Sequence, residues 1–264
     1  MPSKVAATLN DFPMKTTILK TESRLLGQNI VQLTNWQSVD EIIASEPGII
    51  NKHCPAFIYC QTDATNITAI QQLEDHGYRF NEFRIKTMMH TEDCQPGTRA
   101  YYPFYAEPIG EKKDLEKAVD ILLSNKQDDR FSNDPCLGEE FSRKRIEANL
   151  RKSFRSGSKE FLLGLYNGQR NELVAFRSGA FITGTEAHYY QYGVHPDSNF
   201  EHTANILEAF TIEYLLSRNI EIIYAVSTGF NTPELNRLLK SYDFKVVSTQ
   251  VLMRKAIGRG QKAV

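Results

Sequence analysis

His188, Tyr190 and Tyr192 stand two residues apart in a strand that runs from His188 to Val194, and side-chain alternation puts all three on one face. If that face lines a cleft, His188 is the side chain suited to take a proton near neutral pH. The same spacing also describes an aromatic core strand with one satisfied histidine. A second polar constellation is Asp128-Asp129-Arg130-Phe131-Ser132-Asn133-Asp134-Pro135. Arg130, Phe131 and Asp134 could contact a small polar acceptor, and Asp134-Pro135 reads equally well as the cap of a helix beginning near Gly138. No G-x-S-x-G elbow marks a serine nucleophile. Cys54, Cys60, Cys94 and Cys136 show no CxxC spacing, and the neighbouring His53 and Cys54 do not by themselves make a metal site. Free thiols in a reducing cytoplasm, and no metal, are expected.

Composition narrows the class further. The chain has 264 residues and a net charge of -1, so no global electrostatic footprint for nucleic acid is expected. The basic cluster Arg143, Lys144, Arg145, Arg151, Lys152 and Arg155 reads as the solvated face of a helix. No apolar run reaches the roughly 20 residues that cross a bilayer, and the N-terminus lacks the apolar core of a secretory signal. A cytoplasmic protein without a membrane partner is the expectation.

The elements that must position these residues fall into two stretches. In the first, Ser38 precedes a short helix over Val39–Ser45, Ala56–Cys60 is an apolar strand, and Thr65–His76 is a helix stopped at Gly77. Phe80–Met89 is a strand with less regular alternation. The turn-rich segment Thr91–Gly97 is the expected boundary, giving a small α/β domain over 1–95 and a second domain over 96–264. In the second, the predicted order is strand Tyr105–Ile109, helix Asp114–Ser124, helix Glu139–Arg155 and a hairpin turning at Asn167-Gly168. Strand His188–Val194, helix Ala204–Arg218, strand Glu221–Val226, helix Leu235–Lys240 and a last strand from Asp243 follow. The hairpin and the strand–helix–strand order around Pro196 predict a mixed, mostly antiparallel sheet whose strands splay after Val194.

This order, with Val194-His195-Pro196 before a helix and Thr228-Gly229-Phe230-Asn231-Thr232 before the next, resembles the C-terminal half of the GNAT acyltransferase superfamily. Leu19–Gly27, the loop Asp129–Pro135, and Asn231-Thr232 with Ser248-Thr249 are similar to segments of the TDP-fucosamine (dTDP-4-amino-4,6-dideoxygalactose) N-acetyltransferase group. The resemblance implies a GNAT fold of the α/β (α+β) class behind a smaller N-terminal α/β domain. It also implies transfer of an acyl group, such as acetyl, from a CoA thioester to an amine of a small acceptor such as a nucleotide-linked amino sugar. That reaction needs a thioester held by backbone groups of a splayed strand, a pyrophosphate held by helix N-terminal amides, and proton transfer at the amine and the thiol.

Carried over residue by residue, the resemblance places CoA on Val194, on the loop Asn199, Phe200, Glu201, His202, Thr203 and Ala204, and on Asn231. The acceptor would meet Arg130, Phe131, Asp134 and Tyr190. Two departures stand out. Asn199 replaces an Arg or Gln and His202 replaces the first Gly of the pyrophosphate loop, where a side chain obstructs close phosphate approach. The usual general-acid Tyr falls on Leu238 or Leu239, which leaves Tyr242 as the nearest substitute acid and His188 as the base. A fold that has exchanged acetyl-CoA for another acyl carrier, such as a carrier protein or aminoacyl-tRNA, or that only binds a ligand, is the alternative. A homodimer and an acyl carrier protein are the macromolecular partners these readings leave open.

Overall fold

A computed structural model describes residues 13–94, 98–125, 129–155, 157–169, 171–229 and 231–258. The chain forms two compact units, one of residues up to Asn81 together with those from Gln250 onward, the other Glu82–Thr249. The division falls at Glu82, whereas the sequence placed its boundary at residues 95 and 96, outside the described residues. The reason is that strand Arg79–His90 runs on through the change of unit, and the end of the last strand pairs within the first unit.

The first unit holds β1 (Lys15–Ile18), α1 (Lys20–Leu26), β2 (Asn29–Thr34), α2 (Val39–His53), β3 (Pro55–Asp63) and α3 (Ile67–Asp75). Its sheet runs β1, β2, β3 and then Gln250–Ala256 of the final strand, with β2 and β3 parallel and the flanking pairs antiparallel. Ser38 caps α2 as its sequence suggests, its Oγ accepting the Glu41 N–H at 3.2 Å. The helix continues to His53, beyond the expected Ser45, and ends where Cys54 adopts a positive φ of 43°. Ile30, Val31, Leu33, Ile42, Ile58 and Leu73 form its core, all at 0% exposure.

The second unit begins within β4 (Arg79–His90) and adds β5 (Phe104–Pro108), α4 (Lys112–Ser124), α5 (Gly138–Arg155), β6 (Glu160–Asn167) and β7 (Glu172–Phe181). β8 (Glu186–Val194), α6 (Phe200–Leu216), β9 (Ile222–Thr228), α7 (Thr232–Ser241) and the start of β10 (Lys245–Ala256) complete it. The sheet order is β4-β9-β8-β7-β6-β5, antiparallel except where β8 runs parallel to β9. The Asn167-Gly168 hairpin forms between β6 and β7 as read from the sequence.

Helices cover both faces of this sheet. Leu115, Ala118, Ile121 and Leu122 of α4 pack with Ile146 and Leu150 of α5 against Leu162, Tyr166 and Phe176. On the other face, Ile212 and Leu215 of α6 and Leu238 of α7 pack on Ala187, Tyr189, Ile223 and Ala225. Gly193 is required by the first packing. A Cβ there would lie 2.6 Å from the Phe176 ring and 2.9 Å from Ile121. Leu238, at one of the two positions where the resemblance places a general acid, is a core residue at 0% exposure. No helix among the described residues is long and apolar enough to cross a membrane.

Candidate functional site

The site is built where β8 leaves β9. The two strands pair only through Glu186↔Ile222, Ala187↔Ile223 and His188↔Tyr224. The splay therefore opens after His188, earlier than the expected opening after Val194. Its cause is a bulge. Gly179 pairs with Tyr189 and Arg177 with Tyr192, so β8 places two residues, Tyr190 and Gln191, opposite Ser178 alone. The Ser178 hydroxyl closes the bulge, accepting the Gln191 N–H at 3.1 Å and donating to the Gln191 carbonyl at 3.3 Å.

One extra residue reverses the side-chain alternation beyond it. Tyr192 therefore does not share the face of His188 and Tyr190. It lies opposite Arg177, whose guanidinium sits 4.5 Å from the Tyr189 ring and 4.6 Å from the Tyr192 ring. Gln191 turns instead to α5, donating from Nε2 to the Ile146 carbonyl at 3.2 Å.

Behind the splay lies a buried ion cluster. Arg177 is fully buried and donates to Glu208 of α6 at 2.6 Å and to Glu234 of α7 at 3.2 Å. Burial opposes its charge, but the two carboxylates outweigh that and hold its pKa above the ordinary value. The Arg237 guanidinium lies 4.8 Å from the Tyr192 ring and 3.8 Å from Glu208. Glu234 also accepts from Asn231 Nδ2 at 2.8 Å, which fixes the first turn of α7.

In front of the splay is a cavity of about 720 Å³ within the second unit. Its sheet wall draws on three strands. Glu82 and Arg84 of β4, Val226 and Thr228 of β9, and His188 and Tyr190 of β8 all reach it. Its other walls come from the Asp129–Phe131 loop, from α5 and from the first residues of α6 and α7. The loop holds itself through Asp129. Oδ1 accepts from the Phe131 and Ser132 amides at 2.9 and 2.8 Å and from Ser142 Oγ at 2.9 Å, while Arg145 meets Oδ2 at 3.3 Å. Phe131 is buried between two guanidiniums, Arg130 and Arg145, each 4.5 Å from its ring.

Titration in this cavity is set by burial and by neighbours. Burial, then Lys86 and Arg84, push His188 down to about 4, so its imidazole is neutral at physiological pH. Burial pushes Glu82 up, while Arg130 and Arg84 pull it back, Asp129 adds to the rise and Arg145 counters it. Glu82 is 5% exposed and pairs with Arg84 Nε at 3.5 Å.

Not all residues singled out from the sequence meet here. His188, Tyr190, Tyr192, Arg130, Phe131, Phe200 and Asn231 line the cavity, Tyr192 from the opposite strand face. Asp134 does not. It is buried at 2%, and its Oδ1 accepts the Cys136 amide at 2.8 Å while its carbonyl accepts the Gly138 amide at 2.9 Å. Tyr242 does not line it either. Its hydroxyl donates to the Asn205 carbonyl of α6, and burial raises its pKa first, followed by Glu208. Glu82 was missed. Its signal is the run Glu82, Arg84 and Lys86 alternating with Phe83, Ile85 and Thr87, a charged face on a strand that also carries apolar side chains.

The start of α6 has its amides engaged by its own chain. Asn199 Oδ1 accepts the His202 N–H at 3.1 Å, the Asn199 carbonyl accepts the Thr203 N–H at 2.9 Å, and His195 engages the Asp197 and Ser198 amides. Thr203 and Ala204 are buried, while Glu201 and His202 are exposed on the first turn. This terminus fits a pyrophosphate poorly: the His202 and Thr203 amides are engaged and Glu201 opposes the charge. Val194 is also claimed. His195 bonds across to Val174, so the Val194 N–H and C=O point away from β7. The Asn125 carboxamide takes both, at 3.2 and 2.9 Å.

The fold is similar to that of several solved acetyltransferases. A GCN5-related N-acetyltransferase from Sphaerobacter thermophilus matches with a TM-score of 0.61 at 16% identity, covering 94% of this chain and 78% of that one. One from Kribbella flavida matches at 0.58 and 10% identity, covering 87% and 82%. A tandem GNAT protein from the clavulanic acid biosynthesis pathway matches at 0.59 and 11% identity, covering 88% and 76%. No family model matches the sequence, and neither does any curated protein. At these identities the likeness establishes the fold: a mixed α/β GNAT fold.

Proposed function

We propose that this protein is an N-acyltransferase that moves an acyl group from a thioester to the amine of a small polar acceptor. The observation that carries the reading is the parting of β8 from β9 after His188, with a charged cavity directly in front of it. A splayed strand offers backbone groups to a thioester, and the cavity offers an acceptor both acids and bases. The GNAT fold supports this use of the splay. The solved neighbours include N-acetyltransferases, and one of them is described without AcCoA, which makes acetyl-CoA the first donor to try. The resemblance of the Asp129–Pro135 loop to amino-sugar acetyltransferases makes a nucleotide-linked amino sugar the first acceptor to try.

Because Asn199 engages the His202 and Thr203 amides of α6, the grip on the donor rests on the thioester end more than on the pyrophosphate. The amine attacks directly, without an acyl-enzyme. The test is thiol release from acetyl-CoA and longer acyl thioesters across a panel of amino sugars and small amines. Amine-dependent release supports the reading. No release with any pair, and no thioester binding, contradicts it.

A further inference from the structure

The geometry points to Glu82 as the group that takes the proton from the acceptor's ammonium before attack. This assignment rests on the acyl-transfer reading above. Glu82 belongs to a strand on the far side of β9 from β8, and it reaches the cavity because Glu82 and Arg84 share a face of β4, with Arg84 opposite Thr228. It is buried among groups of both signs: Arg84 on its own strand, Asp129 and Arg130 in the loop, and Arg145 on α5. Opposite on β9 stands Thr228, which does not titrate, and β8 contributes His188 and Tyr190 to the same cavity.

The other acids of the cavity are occupied with structure. Asp129 holds its own loop and Arg145. Glu160 accepts from Ser153 Oγ at 2.7 Å and pairs with Lys152 at 3.2 Å. Glu234 is tied to Arg177 and Asn231. His188, pushed down to about 4, holds a proton too weakly to take one from an ammonium near neutral pH. The ion pair of Glu82 with Arg84 is long, at 3.5 Å, and burial makes a neutral carboxylic acid the less costly product of the transfer.

The step balances without a further reactant. The ammonium gives one proton to the Glu82 carboxylate, and the free amine attacks the thioester carbonyl carbon. The C–N bond forms, the C–S bond breaks, and the electron pair leaves on sulfur. The nitrogen loses its second proton as the amide forms, the thiolate takes up one, and Glu82 returns its own to solvent.

The experiment uses the full chain with 13C-labelled glutamate and aspartate side-chain carboxyls, ethylamine as the probe ammonium and acetyl-CoA as the probe thioester. Glu82→Gln assigns the Glu82 signal by its loss. The expected result is a Glu82 carbon that titrates above the ordinary glutamate range and shifts on saturation with ethylamine, with Glu82→Asp keeping an ethylamine response. Acetyl-CoA should bind wild type and Glu82→Gln within about threefold. A Glu82 signal that titrates normally, or one that ethylamine leaves unmoved, overturns the assignment. If that happens while acetyl-CoA still binds, Glu82 alone is removed from the mechanism. If the thioester fails to bind wild type, it is the transfer reading that falls.

Discussion

The chemistry at the residue scale turns on two side chains held away from their ordinary protonation. His188 is neutral in the fold, held down to about 4, against about 6.5 when exposed. Between these values the unfolded chain binds the extra proton, so folding stability falls as pH drops from about 6.5 through 4. Denaturation midpoints across that window should show a slope that flattens in His188→Phe. An identical slope in both proteins would contradict the stated environment. Glu82 has the opposite sign: its raised pKa means that its charged form costs stability at neutral pH. Glu82→Gln should therefore melt higher than wild type at pH 7 and equally at pH 4. A lower melting point at pH 7 would mean that the Arg84 contact outweighs burial.

Legibility at this scale was uneven. His188 and Tyr190 were placed on one face by simple alternation, and the structure keeps them together. Tyr192 was placed on that face too but lies off it, because the bulge that reverses it carries no glycine or proline to announce it and depends on Ser178 from the neighbouring strand. Glu82 was passed over because its strand lay in what the sequence divided off as the other domain.

At the scale of elements, the ion cluster binds β7, α6 and α7 together. Arg177→Met leaves Glu208 buried without its main partner and should cost about 3–5 kcal/mol. Chemical denaturation measures this, and a loss under about 1 kcal/mol would show that Arg237 suffices. The first turn of α6 depends on Asn199, so Asn199→Ala should cost about 1 kcal/mol. The sequence made the elements themselves readable through period, caps and turns. Ser38 and the Asn167-Gly168 turn act locally, so they were found. Arg177, Glu208, Glu234 and Arg237 come together only through tertiary packing, and no local spacing links them.

On the scale of the whole molecule, the last strand serves the first unit. Gln250–Ala256 pairs with β3, and Val251, Leu252 and Met253 are buried. A chain ended at Thr249 should lose the cooperative unfolding of the first unit, seen by calorimetry, and an unchanged melting profile would contradict the pairing. The sequence did not divide the chain this way, because turn-rich composition marks breaks in sequence and not the spatial return of a distant strand.

The central claim is that the splay between β8 and β9 receives an acyl thioester. Hydrogen exchange with and without saturating acetyl-CoA tests it most directly. The account predicts slowed exchange at Tyr189–Val194 of β8 and at Val226–Thr228 of β9. Exchange unchanged in both segments, or slowed only elsewhere in the chain, would contradict it.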